Sequence, residues 1–117
     1  MKIITGRWSF KEDFGFGTDE GFAEFTQVGD KITGVVVYTE RIDDEVPFRV
    51  QQNVEGSFDG LNLKVTGTNV ELLDVEKPFE YHLDTWEGIL NTNNQIVGHS
   101  YDNHDCFGVF VMEHIGE

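Results

Sequence analysis

The stretch Gln51-Gln52-Asn53-Val54-Glu55-Gly56-Ser57-Phe58-Asp59-Gly60-Leu61-Asn62-Leu63-Lys64-Val65-Thr66-Gly67-Thr68 decides the fold class. On both sides of Asp59-Gly60, apolar or small residues alternate with polar ones, the period of a strand with one buried face. Asp-Gly favours a two-residue type I′ turn, because both residues tolerate the positive φ it requires. Folded there, Phe58 pairs with Leu61, Gly56 with Leu63, Val54 with Val65 and Gln52 with Gly67, a nearly apolar face. The opposite face pairs Ser57 with Asn62, Glu55 with Lys64, Asn53 with Thr66 and Gln51 with Thr68, all polar, with Glu55–Lys64 a cross-strand ion pair. A one-residue slip would send Phe58, Leu63 and Val65 to opposite faces, so turn and pattern specify the register together.

Working outward, the same period recurs and no helical period with caps appears. Ile3 to Lys11 reads as a strand, followed by a loop from Glu12 to Glu20. Gly21 to Val28 turns at Gly29-Asp30 into a strand from Lys31 to Arg41, rich in β-branched residues. Val70 to Val75 reads as a short strand before Glu76-Lys77-Pro78. Phe79 to Asn91, Gln95 to Tyr101 and Cys106 to His114 follow. The expectation is an all-β fold, an antiparallel up-and-down meander of eight to nine strands closed into a barrel, with residues 1–117 as one domain. Glycines within the strands suit the sharp bends of a small barrel.

Composition excludes several function classes. Acidic residues number 22 against 8 basic, a net charge of −14, which repels phosphate backbones and anionic membranes. A nucleic-acid or membrane partner is therefore not expected. The one cysteine, Cys106, excludes an internal disulfide and a cysteine-rich metal framework. Met1-Lys2-Ile3-Ile4-Thr5-Gly6 has no apolar leader, and no run approaches the ~20 apolar residues of a membrane span, so the chain as given reads as cytoplasmic.

Ile4-Thr5-Gly6-Arg7-Trp8, followed by Lys31-Ile32-Thr33-Gly34, resembles the opening of the calycins, the avidin- and lipocalin-like barrels. The resemblance covers roughly the first third of the chain. It implies that Trp8 plugs the base of a closed barrel and that a small apolar or amphipathic ligand binds inside. Avidin-type barrels often pair, which makes a homodimer a candidate assembly. The chain departs from the pattern in its last strand, where Cys106 to Glu117 contains no Arg or Lys to pack on the Trp, and avidin's biotin-binding residues find no counterparts.

A ligand inside such a barrel would meet Trp8, Phe10, Phe25, Tyr38, Gln52, Trp86, His99 and Tyr101, with Phe58 and Leu63 completing the wall. His82, Asp84 and Trp86 alternate along one face, with His99 and Tyr101 expected opposite them. Pointing inward, they would form a polar cluster able to orient a ligand or exchange protons. Pointing outward, they would leave Phe79, Tyr81 and Leu83 as core, and three apolar residues favour that arrangement. His99-Ser100-Tyr101-Asp102-Asn103-His104-Asp105-Cys106, with His114, collects metal-ligand residue types but matches no standard zinc spacing, so no metal is assigned. Asp13 to Glu20 lacks the alternate ligands of a calcium loop and reads instead as a glycine-rich loop at the barrel mouth, where Phe14 and Phe16 would cover the cavity or pack on the core. Asp43-Asp44-Glu45 reads as a charged hairpin tip.

No nucleophile elbow, phosphate loop or dinucleotide fingerprint is present, so no catalytic residue and no cofactor are assigned. A small-molecule binding module ranks first. An acidic protein-interaction or inhibitor domain with a filled core ranks second, and an enzyme using His82, Asp84 or His99 third.

Overall fold

Phe58 stands opposite Leu63, not Leu61. The computed structural model describes residues 3–73, 75, 79–104 and 106–116, and it builds the central hairpin from β4 (Phe48–Phe58) and β5 (Asn62–Leu73). Four residues separate the paired Phe58 and Leu63, because the Asp59 carboxylate does more than occupy a turn. Its Oδ1 accepts from the backbone N–H of Leu61 at 2.9 Å and of Asn62 at 2.6 Å, bracing a wider connection than the type I′ turn. The resulting shift is two residues, so every face survives. Val54, Phe58, Leu63 and Val65 are buried, while Leu61 swings out to 51% exposure. Lys64 faces Ser57, and Glu55 faces Thr66, so the expected Glu55–Lys64 pairing is not formed. A bulge at Thr68 then moves the register between Val54 and Asn53.

The remaining strands are β1 (Gly6–Asp13), β2 (Gly17–Val28), β3 (Lys31–Ile42), β6 (Thr85–Leu90), β7 (Gln95–Tyr101) and β8 (Phe107–Gly116). Each pairs antiparallel with the next, and β8 pairs with β1, closing an eight-stranded up-and-down barrel. The strand from Ile3 begins at Gly6 and continues to Asp13, so Glu12 to Glu20 is mostly strand and only Phe14-Gly15-Phe16 connects β1 to β2. Val70 to Leu73 is the tail of β5 rather than a separate strand, and of Phe79 to Asn91 only Thr85–Leu90 joins the sheet. Just before β6, Asp84 is tied to the middle of β5, where Gly67 N donates to Asp84 O at 2.9 Å. The break read at Glu76-Lys77-Pro78, and Asp105 of the His99–Cys106 cluster, lie outside the described residues.

The two ends of the barrel differ. At one end the connections are tight: Gly29-Asp30, Asp59 to Leu61 and Asn91 to Asn94. Trp8 fills that end, its Nε1–H donating to Ile4 O at 2.9 Å and its ring meeting His114 edge-on at 5.0 Å. Above it, Phe10 is the hub of an aromatic layer, 5.6 Å from Tyr38, 6.0 Å from Trp86 and 6.4 Å from Phe110. Phe10 reaches Tyr38 across an intervening strand because Gly21 pairs with both and carries no side chain. A Cβ at Gly21 would lie 1.9 Å from Val37 O. Gly21→Ala is therefore expected to cost about 1–3 kcal/mol by forcing the β2–β3 ladder apart. Urea denaturation measures this, and a wild-type midpoint would show that the ladder yields freely.

Candidate functional site

At the other end three inward positions are acidic. Glu12 pairs with Asp19 across β1–β2, and Asp19 pairs with Glu40 across β2–β3. The three carboxyl groups thus form a row on adjacent strands, only 7%, 3% and 7% exposed. Like charges directly opposite one another destabilise a sheet, and burial raises the cost further. Protonation relieves it. Burial, then the charge of Glu40, then a hydrogen bond with Glu12 push the Asp19 carboxyl up to about 12. Burial likewise raises Glu40, against the lowering effect of its hydrogen bonds with Asp19 and Tyr81. Asp19 is neutral at physiological pH, yet its buried Oδ1 has no hydrogen-bond partner.

The row is held from both sides. Trp86 Nε1–H donates to Glu12 Oε1 at 2.8 Å, deep in the barrel. On the Glu40 side a directional chain forms. Gln52 Oε1 accepts from Asp84 N at 3.2 Å, which fixes the amide so that its Nε2 donates to Asp84 Oδ2 and to the Tyr38 hydroxyl, each at 2.8 Å. Tyr81 donates its one O–H to Glu40 Oε1 at 2.6 Å, so in the 2.9 Å contact between the two hydroxyls Tyr38 is the donor. Burial raises both phenols, so they remain donors. Burial also raises the Asp84 carboxyl to about 7, against the lowering effect of its Gln52 hydrogen bond.

Above this floor opens a cavity of about 570 Å³, within the range of small-molecule sites. Its rim is apolar and largely aromatic: Phe14, Phe16, Val46, Phe48, Phe79 and Phe107. Phe14 meets Phe16 edge-on at 4.8 Å, and Phe48 meets Phe79 edge-on at 5.1 Å. Asp102, Cys106 and His82 complete one side, with His82 stacked on His104 at 3.6 Å. Burial and the nearby carboxylates push the Cys106 thiol up, so it is not an activated nucleophile. Among the described residues that line the cavity there is no Lys or Arg.

The sequence-based candidates divide by depth and by face. Trp8, Phe10, Phe25, Tyr38, Gln52 and Trp86 all point inward and are buried, but they lie beneath the cavity and none lines it. His99 and Tyr101 lie on the outer wall. The strand register sets Trp86 opposite Ser100, whereas His99 faces Glu87 and Tyr101 faces Thr85, donating its hydroxyl to Glu87. The favoured outward placement of His82, Asp84 and Trp86 is overturned. Trp86 is fully buried, and His82 and Asp84 line the cavity together with Tyr81, because residues 79–84 are not in the sheet and do not alternate faces. The metal-type residues do not converge either, as His99 is outside and Asp102 spends its Oδ1 on the backbone N–H of His104 and Cys106. Among the described residues no group of three or more His, Cys, Asp or Glu is arranged to hold a metal ion.

Glu12, Asp19 and Glu40 were the residues to find. Their signal is an acid placed in period with buried neighbours near one end of three successive strands: Trp8-x-Phe10-x-Glu12, Asp19-x-Gly21-x-Ala23 and Val36-x-Tyr38-x-Glu40. No protein family, curated protein or solved structure matches the chain.

Proposed function

We propose that this protein binds one small amphipathic molecule in the open end of the barrel. The apolar part of the ligand lies against Phe14, Phe16, Phe48 and Phe79, and its polar part faces the acidic floor. The observation that carries this reading is the division of one cavity into an aromatic rim and a buried polar base, the usual makeup of a small-molecule site. Below the floor the interior is filled by side chains, as the geometry of an eight-stranded barrel allows, so the cavity is confined to the mouth. The calycin resemblance at Gly6-Arg7-Trp8 supports the same reading, since barrels of that type commonly hold such ligands.

The test is fluorescence titration with the neutral probe N-phenyl-1-naphthylamine, with native mass spectrometry for stoichiometry. Saturable uptake of one probe per chain is expected. Phe16→Ser and Phe79→Ser together should weaken it about tenfold, the equivalent of 1.4 kcal/mol. Both residues are half-exposed on the rim (52% and 48%), so the fold does not depend on them. Absence of saturable uptake would sink the proposal.

A further inference from the structure

We propose that the apolar body of the ligand is a planar aromatic ring system and not an alkyl chain. This deepens the binding reading above and rests on it. The observation that carries it is the makeup of the cavity's apolar lining. Five of the chain's ten Phe stand there with Tyr81, against Ile42 and Val46 as the aliphatic members. Among the described lining residues there is no Leu and no Met. The core beneath is mixed, setting Val36, Val54, Leu63, Val65, Ile96 and Met112 among its rings. The aromatic bias therefore belongs to the cavity and not to the barrel as a whole.

Geometry points the same way. Phe14 and Phe16 meet edge-on at 4.8 Å, and Phe48 is edge-on to Phe79 at 5.1 Å and to Tyr81 at 6.1 Å. In an edge-on pair the edge of one ring covers one face of the other, so further faces and edges remain for a third ring. A planar aromatic guest extends that pattern and gains more than burial of its area alone supplies. A saturated guest of the same skeleton gains the area without the pairing.

The wall is also stiff. Phe has only two side-chain torsions, and the Tyr81 hydroxyl is tied to Tyr38 and Glu40. Little freedom is lost when a rigid guest docks against such rings. A flexible chain would meet walls that do not adapt to it as Met does. Nor is there depth for a long chain, because Trp8, Phe10 and Trp86 fill the barrel below.

The experiment displaces bound N-phenyl-1-naphthylamine with three neutral alcohols of equal carbon number. They are 1-naphthalenemethanol, its saturated counterpart decahydro-1-naphthalenemethanol, and 1-undecanol. The two saturated alcohols are the more hydrophobic, so a cavity that recognised apolar area alone would favour them. The aromatic alcohol is expected to displace the probe at least about fivefold more strongly than either. Phe16→Leu with Phe79→Leu, both on the half-exposed rim, keeps apolar area and removes two rings, and should cut that preference at least about threefold. Equal or stronger displacement by either saturated alcohol would overturn the inference while leaving the binding reading standing. No displacement by the aromatic alcohol, or a preference that survives the leucine pair unchanged, would overturn it as well. Absence of saturable probe uptake would remove the binding reading itself.

Discussion

Asp19→Asn is expected to raise the melting temperature at mildly alkaline pH and to flatten its dependence on pH. The sign follows from the direction of the shift. Folded Asp19 holds its proton up to about 12, chiefly because it is buried, whereas in the unfolded chain it titrates near its ordinary 3.8. Between those values the folded state binds one more proton than the unfolded state, so stability falls as pH rises. The slope is about 1.4 kcal/mol per pH unit for one retained proton. Wild type should therefore lose about 3 kcal/mol between roughly pH 6 and pH 8. Glu40, also raised, adds a loss of the same sign, and Asp84 adds one below about 7. The asparagine keeps the shape of the protonated acid and has nothing to titrate. Glu71→Gln, an exposed carboxylate on β5, serves as the control and should leave the slope in place. Scanning calorimetry across this pH range decides it, and a slope in Asp19→Asn parallel to wild type would refute the assignment of the retained proton to Asp19.

The second large effect belongs to Trp86. The indole is fully buried, stands edge-on to Phe10 at 90°, and supplies the hydrogen bond that anchors Glu12. Trp86→Ala opens a cavity in the aromatic layer and should cost about 3–5 kcal/mol. Trp86→Phe retains an aromatic ring but takes the donor from a buried carboxylate, for about 1–3 kcal/mol. Near-ultraviolet circular dichroism during urea denaturation reads both without relying on tryptophan fluorescence. A cost below about 1 kcal/mol for the alanine variant would contradict a load of this size on one ring.

How far the fold was legible depended on which signal each residue carried. Val54, Phe58, Leu63 and Val65 revealed their face by period alone, and a slip of two residues leaves faces unchanged. Their partners were not legible, because the turn width was set by the Asp59 carboxylate reaching Leu61 and Asn62. Gln95 to Tyr101 was read with its observed ends, but facing Trp86 with His99 needed a register one residue away from the real one, which presents Ser100. The site was hidden for a different reason. Glu12 and Asp19 look like loop residues until β1 and β2 are known to extend through them. Asp84 and Tyr81 lie in a segment outside the sheet, held by hydrogen bonds to Gly67, Gln52, Tyr38 and Glu40 and not by alternation. A row of acids across three strands is a property of the β1–β2 and β2–β3 registers, which the pattern within one strand does not encode.

The asymmetry of the barrel ends also determines how the molecule can be held. β1 and β8 pair, with Arg7 opposite Gly116, so the described chain ends lie side by side at the end that Trp8 closes. The aromatic rim is at the far end of the same strands. Attachment at that end of the barrel, to a bead, a sensor chip or a fused partner, therefore orients the entrance toward solvent. Immobilised protein keeps its cavity accessible, and a surface-bound layer would present all its entrances in one direction.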